Sequence, residues 1–312
     1  MQITIIPAST RVATQTIRIL LADPSALSVV GFYRNLTRVP AEFLSNPKFS
    51  AKRGDIEDAS TLDFAGSDII LSITPMWYDG RDILTVAKEV SWNVRNRIEE
   101  TCISVKRLVV LSSMGGQYDE GTGAILTNHA AEEILGATKN AKEVVIVRPA
   151  YFMENWGEAV GTIKSDGFFF SIFTPASFKI PHIAVKDIAS TLAGELLSTS
   201  RTPSPLPEGS SPYALEIQGP KYSTEDVKRI FEEVSGKKDI QVREIPKEGV
   251  QGFYEAAGFP SNVAKPFAEM SNSILEGGKL FENPEPRTKD VRILRTELKD
   301  VIEELWNAAT KE

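Results

Sequence analysis

Through the first 148 residues, short apolar runs alternate with stretches whose apolar residues return every three or four positions. The runs are Ile3 to Ile6, Ser28 to Phe32, Phe49 to Lys52, Ile69 to Ile73, Arg107 to Leu111 and Val144 to Val147. Their shortness and their Val, Ile and Leu content predict strands covered on both faces. Between them, Ile83, Ala87, Val90, Val94 and Ile98 make one apolar stripe along a helix, and Ala13, Ile17, Leu20 and Leu21 make a shorter one. Strand, helix and strand in repeated succession imply parallel pairing through right-handed crossovers. The expected fold is α/β, a doubly wound parallel sheet.

After Pro149 the pattern changes. Eight aromatic residues crowd into the segment from Tyr151 to Phe178. A helical stripe resumes with Ile188, Leu192 and Leu196, and residues 200–212 read as a Pro/Ser-rich surface loop. A strand (Ala214 to Ile217), a helix (Thr224 to Ser235) and a second strand (Ile240 to Arg243) follow. Leu298, Val301, Ile302 and Leu305 give the last helix its buried side. Residues 1–150 are expected to form one domain. Residues 151–312 are expected to form a smaller substrate-covering lobe, with returning elements packed on the sheet.

Composition narrows the functional classes. The 312 residues carry a net charge of −7, which argues against a general binder of nucleic acid or anionic membrane. Cys102 is the only cysteine, so no intrachain disulfide can form, and a packed thiol is expected. The chain opens on a strand, without a basic and apolar leader, and no apolar run approaches the ~20 residues that span a bilayer. A cytoplasmic protein is expected, as monomer or homodimer, acting on a small molecule.

In an open parallel sheet, ligands bind beyond the carboxyl ends of the strands where the strand order reverses. The first turn, Pro7-Ala8-Ser9-Thr10-Arg11-Val12-Ala13, stands where a Rossmann-type sheet rests a pyrophosphate on a helix N-terminus. Glycines are wanted at Pro7, Thr10 and Ala13 for a tight turn, close approach to phosphate and close helix packing. Only Ala13 is a tolerated replacement. Pro7 lacks an N–H, and Thr10 adds a branched side chain where backbone should meet ligand. Ser9, Thr10 and Arg11 still offer hydroxyls and a guanidinium; the alternative is a turn that holds no ligand. Arg34, after the second strand, suits a ribose 2′-phosphate and hence NADP(H), or is a solvated surface arginine. Asp55 is placed to bond an adenine amino group, or serves a local turn. Thr74 and Pro75 end the fourth strand beside the expected nicotinamide ribose, and Met76 and Trp77 continue toward the substrate.

With these residues in view, the chain resembles the NmrA-like group of atypical short-chain dehydrogenase/reductases. Arg148-Pro149-Ala150-Tyr151-Phe152-Met153-Glu154-Asn155 is similar to that family's RP-x-x-FMEN segment. Gly54-Asp55, Leu111-Ser112-Ser113, Ile180-Pro181 and Val185-Lys186-Asp187-Ile188-Ala189 resemble further landmarks in order. The family's first turn normally resembles T-G-A-T-G-x-x-G, and here all three of its glycine positions differ. The resemblance implies a Rossmann-like fold, a dinucleotide site that includes Ser112, and either reductase or redox-sensing roles.

The Tyr-x-x-x-Lys pair of ordinary short-chain dehydrogenases is missing. His129 and Glu132, three apart on a helix, share one face. They resemble a His-x-x-Glu variant in which the carboxylate steadies the imidazole as proton donor, with Tyr118 as the other candidate. His182 is a weaker one. Tyr151, Phe152, Asn155, Trp156 and Phe169 are expected to line the substrate site, or to pack the second lobe. Three functions remain open: an NAD(P)H-dependent reductase of a small apolar or aromatic carbonyl, enone or imine, of a secondary-metabolism kind; a non-redox isomerase, cyclase or dehydratase that has lost the cofactor; or a non-catalytic nucleotide sensor.

Overall fold

The computed structural model describes residues 1–26, 28–198, 211–282 and 290–309. The expected proline-rich loop, apart from its last two residues, lies outside them.

The first half alternates as the periodicity predicts. β1 (Gln2–Ile6) leads to α1 (Arg11–Ala22), β2 (Ser28–Tyr33), the single turn α2 (Ala41–Leu44) and β3 (Phe49–Arg53). Then come β4 (Ile69–Ile73), α3 (Ile83–Thr101), β5 (Arg107–Leu111), α4 (Leu126–Gly136) and β6 (Val144–Pro149). Asp82 caps α3 by accepting the Thr85 N–H, and Thr10 caps α1 by accepting the Ala13 N–H, each removing one of the donors that a helix start leaves unpaired.

The second half is more broken. It runs through β7 (Tyr151–Phe152), a 3-10 segment (Met153–Glu158), α5 (Ala159–Asp166), β8 (Phe168–Ser171), β9 (Ile180–Ile183) and α6 (Val185–Leu197). β10 (Tyr213–Gln218), β11 (Lys221–Tyr222), α7 (Thr224–Ser235) and β12 (Gln241–Glu244) follow. The chain closes with α8 (Val250–Ala256), α9 (Ser261–Ser273), α10 (Lys279–Glu282), β13 (Asp290–Ile293) and α11 (Leu298–Ala308).

Eight strands form one sheet in the order β13-β10-β6-β5-β4-β1-β2-β3, and every neighbouring pair is parallel. The chain winds outward from β1 to β3, then returns to β4 on the other side of β1, so the order reverses between β1 and β4. Ile3, Ile5, Leu71, Val109 and Val147 face α1 and α6 in one buried cluster. Ile70, Leu108, Val110 and Ile146 face α3 and α4 in another. Cys102 is buried, its thiol donating to the Phe64 carbonyl at 2.8 Å, and burial raises its pKa. This is the packed thiol expected from the sequence.

A third cluster lies outside the sheet and joins Met153, Trp156, Phe169, Phe173, Phe231, Leu298 and Ile302. It is stitched by two small sheets: β11-β9-β7, and the parallel pair β12-β8. The triple phenylalanine at Phe168, Phe169 and Phe170 forms β8, and only Phe170 of the three is exposed. No described helix is long and apolar enough to cross a membrane.

Candidate functional site

The reversal between β1 and β4 opens toward the first turn. Ala8 is fully buried and its N–H donates to the Phe32 carbonyl at 2.8 Å, which ties the turn to β2. Gly31 permits this approach: a Cβ there would lie 3.0 Å from that of Ala8 and 2.8 Å from the Tyr33 ring. Ser9 and Arg11 are exposed at the mouth of α1. Thr10 turns its hydroxyl inward to cap the helix, so of the three it already has a partner. The first amides of α1, the Ser9 hydroxyl and the Arg11 guanidinium together suit an anionic group. Pro7 and the committed Ala8 N–H leave fewer backbone donors than a glycine turn would give.

Beyond β2, Arg34 is exposed and its charge helps to hold the Glu57 carboxyl low, after the larger effects of Arg81 and Trp77. Asp55 accepts the Glu57 N–H at 3.1 Å on Oδ1, the local turn role weighed above. Tyr33 is 1% exposed, its hydroxyl has no partner, and burial pushes its pKa up to about 12.

Thr74, Pro75 and Met76 are half-buried after β4, and Met76 receives the Thr127 hydroxyl at 3.8 Å. Trp77 departs from expectation. Its indole N–H donates to Glu57 at 2.9 Å and its ring packs among Ile56, Leu62 and Ile83, so it braces the loop.

After β5, the Ser112 hydroxyl donates to Glu132 Oε1 at 2.5 Å. Arg148 holds the same carboxylate in a fork, Nε to Oε1 at 2.8 Å and Nη2 to Oε2 at 2.5 Å. All three side chains are buried. Gly116 makes room for them, since a Cβ there would fall 2.3 Å from Glu132 Oε1 and 2.6 Å from Ser112 Oγ. The expected His129–Glu132 pair is therefore not formed. The Glu132 carboxylate serves Ser112 and Arg148, whereas His129 Nδ1 meets the Gly116 carbonyl at 2.9 Å. The His129 ring lines a groove between α3 and α4 with Leu84, Lys88 and Trp92. Tyr118 lies under the Lys279 ammonium, 5.4 Å from the ring centre.

Of the aromatic residues after β6, Trp156 and Phe169 take the packing role, the second of the two readings weighed above. Trp156 donates its indole N–H to His182 Nε2 at 3.0 Å and Phe169 is fully buried against it, so both pack the covering layer. Phe152 leans on the sheet cluster. Tyr151 and Asn155 do come together, the amide bonding the phenol.

The sequence did not single out the neighbours of this pair. Tyr78, after β4, and Tyr254, on α8, both pack on Phe259 and Phe267, with centroids 5.2–5.7 Å apart. Burial raises the pKa of all three phenols, and the Glu158 carboxylate raises each further. Only their convergence in space marks these residues; no local motif carries them.

The parallel, doubly wound sheet defines a Rossmann-type α/β protein, and solved structures share it. An NADPH-dependent quinone oxidoreductase of Escherichia coli, solved with NADPH, is 17% identical with a TM-score of 0.72, over 98% of this chain and 100% of that one. Triphenylmethane reductase of Citrobacter sp. is 17% identical with a TM-score of 0.69, over 98% and 100%. A nucleoside-diphosphate-sugar epimerase of Staphylococcus aureus is 14% identical with a TM-score of 0.69, over 97% and 100%. These likenesses establish the fold. No family model and no curated protein matches the chain.

Proposed function

We propose that the chain is an NADP(H)-dependent reductase of NmrA-like type, acting on a small apolar or aromatic acceptor. One juxtaposition carries the reading: Ser9, Arg11 and Arg34 offer anion-binding groups at the first turn and at β2, while aromatic rings gather beyond β4 and β6, with Tyr78 and Tyr254 on Phe259 and Phe267 and Tyr151 bonded by Asn155. The like-folded oxidoreductase solved with NADPH lends support. Ser9, Arg11 and the start of α1 would hold the diphosphate, Arg34 the 2′-phosphate and Asp55 the adenine side. Thr74, Pro75 and Ser112 would flank the nicotinamide, which when bound supplies a hydride. Ser112 already donates to Glu132, so it faces a ligand as an acceptor. For acceptors that need a proton, Tyr118 and His129 are the candidates, and Lys279 over Tyr118 gives that phenol a cationic neighbour.

Thermal stability and nicotinamide fluorescence, followed during NADPH and NADH titrations, test this reading. NADPH at ~100 times its dissociation constant should stabilise the fold by about 2.7 kcal/mol. No shift with either nucleotide at millimolar concentration would sink it. That result would favour the second reading, a non-redox enzyme on the same scaffold, to which Pro7 and the committed Ala8 N–H already point. Binding without turnover across carbonyl, enone and imine acceptors would favour a sensor.

A further inference from the structure

We propose that the cavity between the 3-10 segment and α11 binds a free α-amino acid with an aliphatic side chain, held as a zwitterion between Arg11 and Glu158. The inference goes beyond the reductase reading and stands without it.

The cavity measures about 420 Å3, within the range of small-molecule sites. Its walls come from separate parts of the chain. Arg11 opens α1 on one side, Asn155 and Glu158 stand on the 3-10 segment, and Leu305 and Ala308 belong to the last turn of α11. Val160 on α5, itself buried, adds to the apolar wall. Glu154 lines the cavity too, but it is half-buried and one of its oxygens accepts the Val185 N–H at 2.8 Å. Its other oxygen is buried without a hydrogen-bond partner, and burial raises its pKa. Glu154 is thus occupied in fastening the start of α6, and the exposed Glu158 is the carboxylate left to a ligand.

The charges decide the class of ligand. Arg11 and Glu158 are both exposed, and among the described residues neither forms an ion pair. Opposite charges that share a cavity without pairing are both left to a ligand that carries both signs. Glu304, whose charge also reaches Glu154, is opposed by Lys186 at 3.8 Å. A guanidinium takes a carboxylate through two parallel N–H donors, and the Glu158 carboxylate accepts from an ammonium. A purely anionic ligand would meet the two glutamates unpaired, and a purely cationic one would meet Arg11. A zwitterion finds a partner for each of its charges. The Val160, Leu305 and Ala308 side chains offer contact without hydrogen bonds, which suits an aliphatic side chain. Arg11 is also the guanidinium that the reductase reading gives to a diphosphate, so the two ligands would compete for it.

The test uses the full chain with L-leucine as probe. 3-Methylbutylamine is the same molecule without its carboxylate, and 4-methylpentanoate is the same molecule without its ammonium. Calorimetry reads the three affinities, and NADPH thermal shifts are followed on the same samples. Leucine should bind about tenfold more tightly than either analogue. Arg11→Gln should bring leucine down to the affinity of the amine and leave the amine no weaker. Glu158→Gln should bring leucine down to the affinity of the acid and leave the acid no weaker. Both side chains are exposed, so each variant should keep the unfolding profile of the parent. No binding of leucine at millimolar concentration, equal affinities for the three probes, or a leucine preference that survives either substitution would overturn the proposal. An NADPH shift without leucine binding refutes this inference alone; leucine binding without an NADPH shift refutes the reductase reading and leaves an amino-acid site.

Discussion

His182 shows how much a single buried ring can decide. Nε2 accepts the Trp156 indole N–H at 3.0 Å, and Nδ1 meets the Ile180 carbonyl at 2.9 Å. The network therefore assigns the neutral tautomer protonated on Nδ1. Burial lowers its pKa from 6.5 to about 4. Because the folded value lies below the unfolded one, the stability this ring confers is complete above pH 6.5. It drains away as pH falls toward 4, by up to about 3 kcal/mol. Thermal midpoints between pH 7 and 4 should fall accordingly, and His182→Asn should flatten that slope even if it lowers the whole curve. A slope unchanged by the substitution would remove His182 as its cause. At the same scale, Arg34→Ala should weaken NADPH selectively; equal loss for NADH would show that Arg34 does not read the 2′-phosphate. Arg34, Ser9 and Arg11 were legible as candidates because they flank strand ends. Tyr33, Tyr78, Glu158 and Tyr254 were not, because each gains meaning only from residues distant in sequence.

The helix α4 carries the clearest correction. Spacing alone puts His129 and Glu132 on one side of a helix, but spacing cannot tell which neighbour wins a carboxylate. Arg148 is buried at the end of β6, and an unpaired buried guanidinium costs more than a lost surface contact. Glu132 consequently turns to it and takes Ser112 as well. Glu132→Gln should destabilise the fold by about 3–5 kcal/mol, since it leaves Arg148 without a counter-charge. Gly116→Ala should cost about 1–3 kcal/mol by overpacking the same spot. Chemical denaturation measures both; a near-neutral Glu132→Gln would mean that the pair is hydrated. The strands β1 to β6 and β10 were read to within two residues at each end, whereas β13 at the sheet's edge was not read as a strand. β8 was not read as a strand because its pairing with β12 joins segments some seventy residues apart, and local pattern is silent on such pairings.

Across the whole molecule, the first 150 residues supply six of the eight main strands, and β10 and β13 extend the same sheet from the second half. The covering layer is anchored to that sheet at several points: α6 lies on α1, and Ala150 N–H donates to the Ile217 carbonyl at 3.0 Å. One continuous sheet with its flanking helices is thus joined to a layer built largely from residues after Pro149. This division explains what was readable. Repetition of strand and helix announces the scaffold, whereas the cover has no repeat and shows its purpose only when folded.

The self-capped start of α1 has a consequence for the life of the protein. In a glycine turn, an incoming phosphate completes a helix end that is otherwise short of acceptors. Here the Thr10 hydroxyl already takes the Ala13 N–H and the Ala8 N–H is fastened to β2. These two amides are already taken before any ligand arrives. The turn can therefore hold its shape without a nucleotide, and a bound one would add its binding free energy to a fold that already stands.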